Sequence, residues 1–154
     1  MTTNDRKTLL VLNNLIRASR DAEQGYLAAA DAVPEPELVE MFAAYALQRA
    51  KFADELQERL RILRGTPETH GGLGGDVHRT WMGFRAAIES NDSHAILSEC
   101  ERGEDLAVMA CRDALAERDL DNQTRGVIQR HYEFVQAAHD RVRQLRDSTV
   151  YAHR

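Results

Sequence analysis

The sequence predicts an all-α fold, a four-helix bundle with one long crossover between its second and third long helices. Three observations carry this reading. Apolar and small residues recur at three- and four-residue steps through four separate segments, the spacing of one helix face. The links within the first and last pairs of segments are short, while the middle link is long and glycine-rich, as in single-crossover bundles. No stretch carries the two-residue alternation of a strand.

The first helix is read from Leu9, Leu12, Ile16, Ser19, Glu23, Tyr26 and Ala30, and Pro34 and Pro36 close it. Pro36, flanked by Glu35 and Glu37, also suits the first turn of the second helix, where proline lacks no needed donor and acids meet the helix dipole. The second helix carries Leu38, Met41, Phe42, Tyr45, Arg49, Phe52, Leu56, Leu60 and Leu63 along one stripe as far as Gly65. The segment GTPETHGGLGG, from Gly65 to Gly75, is a connector. A shorter helix follows, capped by Asp76 and running to Ser90, with Val77, Trp81, Phe84 and Ile88 on one side, and it is expected to lie across the bundle. Trp81 and Met82 are anchors for packing on the bundle or on another subunit.

After Asn91, with Asp92 or Ser93 as cap, the third long helix places His94, Leu97, Glu101, Glu104, Val108, Cys111 and Leu115 on one face. The chain turns between Asp119 and Asn122. The fourth long helix then turns Ile128, His131, Val135, Ala138, Val142 and Leu145 inward, and the tail STVYAHR is expected to fray. At 154 residues the chain is expected to form one domain spanning 1–154, with its core over about 8–147. A faint internal echo, DAEQGYLAAADA at Asp21 against GEDLAVMACRDA at Gly103, brings Glu23 within one position of Glu104.

Composition narrows the function classes. Twenty-five acidic against twenty basic residues give a formal charge of -5, and the arginines are interspersed with acids, so nucleic acid is not an expected partner. The opening MTTNDRKTLLVL has too short an apolar run for a signal peptide or a membrane span, and a cytoplasmic address with no membrane contact is expected. Cys100 and Cys111 are separated by about 16 Å of helical rise, beyond disulfide reach, and are read as small buried thiols. No GxSxG, HExxH, phosphate-binding or dinucleotide-binding motif is present, so the residues name no reaction and leave open whether the chain is an enzyme.

What stands out is polarity on the inner stripes. Glu23, Tyr45, Arg49, Glu101, Glu104 and His131 all fall there, and buried carboxylates demand compensation near the bundle middle. One solution is a metal pair, which needs single glutamates from two helices and a Glu-x-x-His motif from each of the other two. Glu23 and Glu104 suit the single positions, but the paired positions read Gln48 to Lys51 and Gln136 to His139. Neutral amides and an ammonium are poor ligands, so no metal cofactor is expected in a standard two-ion site. The other solution is Arg49, whose planar fork bonds carboxylates bidentately and would serve Glu23, Glu101 and Glu104. Between them lies a reduced one-ion site using Glu23, Glu104 and His131. His131 is read as a core histidine bonded to a carboxylate or to Tyr45, and His139 as a boundary side chain. His70, His78 and His153 are too dispersed to form a site.

The stretches YALQRAKFADEL, VHRTWMGFRAAI, HAILSECERGEDLAVMACRDAL and AAHDRVRQLRD together resemble an uncharacterised bacterial ferritin-like four-helix-bundle family, a domain of unknown function. The resemblance covers about residues 8–147 and is most specific at ECERGED, Glu99 to Asp105. It implies a ferritin-like fold and bacterial origin, with no established activity or cofactor. The expectation is therefore a ferritin-like bundle without a standard di-iron site, acting as a homo-oligomer, for instance a dimer, or by protein contact. The alternative is an iron-, manganese- or zinc-binding oxidoreductase or iron-handling protein.

Overall fold

Proline spacing and helix caps set the element boundaries in the computed structural model, which describes residues 3–63 and 83–152. Helix α1 spans Thr3–Ala32 and α2 spans Pro36–Ile62, with Pro36 opening α2 and Glu37 in its first turn. Residues 83–89 form a short helix, α3. Helix α4 spans Ser93–Leu115 and α5 spans Asn122–Asp147. Among the described residues no strand occurs, and no helix is long and apolar enough to cross a membrane. The expected connector, the Asp76 cap, His70, His78, Trp81, Met82 and His153 lie outside the described residues.

The N-terminus of α4 follows the sequence closely. Asn91 takes φ 56°, a left-handed conformation that asparagine tolerates better than most side chains, and this turns the chain from α3 into α4. Asp92 is then the N-cap, and its carboxylate accepts from the backbone N–H groups of His94 and Ala95. Ser93, the other candidate cap, instead donates its hydroxyl to the Glu35 carboxylate at the α1/α2 turn. Asp121 caps α5 through Thr124.

The helices pack as two hairpins, α1 with α2 and α4 with α5. Helix α1 also lies against α4, and α2 against α5. In that ring α2 and α4 stand on a diagonal, so side chains that join them must cross the bundle centre. Apolar clusters fill both ends. One contains Tyr26, Phe42, Ile96, Leu97 and Val142, closed by Phe84 of α3, and the other Leu12, Ile16, Leu56, Leu60 and Ile128. Phe52, Val108 and Val135 form a small cluster between them.

Two expectations change. The C-terminal tail does not simply fray: Thr149–Tyr151 form a 3-10 turn in which Tyr151 is 9% exposed and donates its hydroxyl to the Glu37 carboxylate at 2.7 Å. Burial of an aromatic ring and a charge-assisted hydrogen bond together outweigh the entropy of ordering three residues. Helix α1 also begins earlier than Leu9, because the polar residues Thr3 to Lys7 have no helix breaker among them.

Candidate functional site

The bundle centre is built from one residue on each diagonal helix. Arg49 of α2 and Glu104 of α4 are each 1% exposed. Nη1 of Arg49 donates to Oε1 of Glu104 at 2.6 Å and Nη2 donates to Oε2 at 2.6 Å, a two-bond fork. Gln48 Oε1 accepts from Arg49 Nε at 3.3 Å, which engages a third N–H of the guanidinium. The Tyr26 and Phe52 rings flank the cation at 5.6 and 6.0 Å from their centroids. Burial opposes the charge on Arg49, but the charge and hydrogen bonds of Glu104 outweigh it, and the guanidinium is held more firmly protonated than in water.

The other expected members divide. Tyr45 is half-buried with its ring 5.3 Å from Tyr26, and burial together with the Glu104 charge raises its pKa. His131 is 4% exposed and stacks on Phe52 at 3.9 Å with 13° between the ring planes. Its Nε2 lies 3.6 Å from a Glu55 carboxylate oxygen, beyond hydrogen-bond length, and Tyr45 is not its partner. Burial, opposed in part by Glu55, brings the His131 pKa down to about 4, so the ring is neutral at pH 7.

Glu23 and Glu101 do not join Arg49. Glu23 is part-exposed and pairs with Arg20 of its own helix at 3.2 Å, while Arg20 also reaches Asp54 and Gln57 of α2. The buried stripe of α1 runs through Leu12, Leu15, Ile16, Tyr26 and Ala29, so Glu23 falls on its edge, and the expected match to Glu104 does not extend to burial. Glu101 is 8% exposed but turns toward α5, where its Oε2 pairs with Arg146.

His139 lies at the limit of burial, as a boundary side chain would: it is 9% exposed, with the α4/α5 packing covering most of it. Its Nε2 lies 2.6 Å from Asp105 Oδ1 and 3.8 Å from Glu101 Oε1, and its Nδ1 lies 3.1 Å from Asp140 Oδ1. Asp105, Asp140 and Arg146 were not singled out by sequence reasoning. The available signal was the four-residue step from Glu101 to Asp105, which puts both carboxylates on one face of α4.

Among the described residues, the positions that a standard di-iron set would use are otherwise engaged or turned outward. Lys51 is exposed, Gln48 and Gln136 are spent on Arg49 and Asp140, and a guanidinium occupies both oxygens of Glu104. What space remains beside the pair is a cavity of about 20 Å³ lined by Ser19, Arg49, Phe52, Cys111 and His131 among others, enough for about one water. Burial raises the pKa of Cys111 to about 11 and that of Cys100 still further, so both free thiols stay protonated and weakly nucleophilic at pH 7.

The fold is similar to the solved structure of a mutant of Mycobacterium smegmatis Dps1, with a TM-score of 0.77 at 16% identity over 96% of this chain and 99% of that one. The fold is therefore that of a ferritin-like helical bundle. Residues 7–117 match the model of DUF2383, a domain of unknown function, and the chain belongs to that family. The match ends before α5, so His131 and His139 lie outside it. No curated protein sequence matches.

Proposed function

We propose that this protein is a ferritin-like bundle whose centre is a structural lock, and that it acts through its outer helix faces by self-association or contact with another protein. The Arg49–Glu104 fork carries this reading. The Arg49 guanidinium fills the bundle centre and takes both oxygens of Glu104, the best-buried glutamate among the described residues. A buried pair on the diagonal joins two helices that are not neighbours in the ring, and setting helix register is the best-attested use of buried charge. The outer faces supply apolar contact area, such as Leu106 and Met109 one turn apart on α4, 48% and 57% exposed. A homo-oligomer, with a dimer as its simplest form, in the cytoplasm completes the reading.

Elemental analysis and light scattering of the purified chain test it. We expect fewer than two transition-metal ions per chain, an ion content that Glu104→Gln leaves unchanged, and a particle mass above that of one chain. Two ions per chain that disappear in Glu104→Gln would overturn the closed centre. A particle that stays monomeric and captures no protein partner would overturn the contact role.

A further inference from the structure

The seam between α4 and α5 holds a second group of polar residues that the bundle lock does not use. Glu101 and Asp105 stand one turn apart on α4 and face His139 on α5. One ligand atom from each lies within 4.8 Å of the other two. The geometry points to a site for a single divalent transition ion of the zinc or ferrous class, held by Glu101, Asp105 and His139 with water completing the shell. It uses neither Glu104 nor Glu23, so it is separate from the bundle centre, and it stands or falls independently of the closed-centre reading.

The orientation of His139 is the second observation. Asp140 approaches Nδ1 at 3.1 Å and is itself steadied by Gln136 Nε2 at 3.2 Å. That arrangement holds the ring with Nε2 facing the two α4 carboxylates, and an ion bound at Nε2 would leave the ring proton on Nδ1 toward Asp140, as in carboxylate–histidine–metal triads. Charge is the third. Glu101, Asp105 and Asp140 bring three negative charges and Arg146 one positive, while the Asp147 carboxylate beside Arg146 and the Arg143 guanidinium near Asp140 cancel one another. With the imidazole serving as a neutral ligand through Nε2, two negative charges are left for a divalent ion to balance. Arg146 occupies only Oε2 of Glu101, leaving Oε1 for one metal bond.

The donor set selects the ion. One imidazole and two carboxylates suit zinc or ferrous iron, whereas magnesium and calcium prefer oxygen alone. Bond lengths of about 2.0–2.2 Å set neighbouring donors roughly 3.3 Å apart, so the 2.6 Å His139–Asp105 contact must open. Asp105, with its side chain 59% exposed, has the freedom to do so.

Calorimetric titration of the metal-free full chain with zinc chloride, and with cobalt(II) as an optical probe, tests the site. The expected result is one ion per chain, a visible d–d absorption from cobalt in a low-symmetry N/O shell, and a rise in melting temperature on zinc addition. Asp105→Asn and His139→Gln should each weaken zinc binding at least tenfold. Asp140→Asn, acting only through His139, should weaken it roughly tenfold while the cobalt spectrum retains its form. Glu23→Gln should bind like the parent chain. Asp105 and Asp140 are exposed enough that their variants fold, so loss of binding there is not loss of structure. No uptake at about 0.1 mM zinc, or uptake indifferent to Asp105→Asn and His139→Gln, would overturn the assignment.

Discussion

At the bundle centre Glu104 meets a cation that the protein itself supplies, whereas three residues earlier and one residue later on the same helix Glu101 and Asp105 face a histidine and leave negative charge in excess. The centre is sealed, with both partners about 2% exposed at the side chain. The seam grades from the buried Glu101 to the open Asp105. A sealed site must balance its charge internally, because stranding a buried ion costs several kcal/mol, while a seam open to water can keep unbalanced charge at little cost. The centre is therefore suited to holding the bundle together and the seam to meeting something from outside.

Breaking the central pair should produce the largest effect. Arg49→Leu leaves Glu104 buried and alone, and chemical denaturation should report a loss of about 3–5 kcal/mol. Replacing both partners, Arg49→Met with Glu104→Leu, should recover most of that loss, since the apolar pair avoids the desolvation of either ion. A double variant as unstable as the single one would mean that the pair does more than neutralise itself.

Acid should find the same region next. His131 is protonated with a pKa near 6.5 in the unfolded chain and about 4 in the fold, so between those values the unfolded state binds more protons. Stability is then intact above pH 6.5 and declines as pH falls toward 4, by up to about 3 kcal/mol. Glu55 partly offsets the decline, and Arg130 and Arg49 work against protonation from the other sides. Thermal melts from pH 7 to 4.5 should fall less steeply in His131→Gln than in the parent chain.

The seam should respond more weakly. Arg146→Leu removes a pair that is 28% exposed on one side, and a loss of about 1 kcal/mol is expected after solvent screening. Smallest of all, Asp105→Asn should change the stability of the metal-free chain by no more than about 0.5 kcal/mol, measured by urea unfolding. A loss there as large as that of Arg49→Leu would erase the distinction between the two regions.

Periodicity made the long helices legible, along with the proline-bounded α1/α2 turn and the Asp92 cap, because each depends on neighbours within a few residues. It also put Arg49, Glu104 and His131 on buried faces. It misplaced Glu23, since a stripe over 30 residues drifts around the helix and a residue at its edge turns outward on a shift of tens of degrees. It could not distinguish Glu101 from Glu104, both of which are buried, because spacing names a face and not the helix that the face meets.

Local chemistry thus determined from the sequence alone where helices start and stop and which sides of them are dry. Only the tertiary structure decided who stands opposite whom. Arg49 meets Glu104 because α2 and α4 lie on a diagonal, and His139 meets Glu101 and Asp105 because α5 lies beside α4. Those pairings bridge 55 residues in one case and more than 30 in the others, and no local periodicity encodes the register in which separate helices come together.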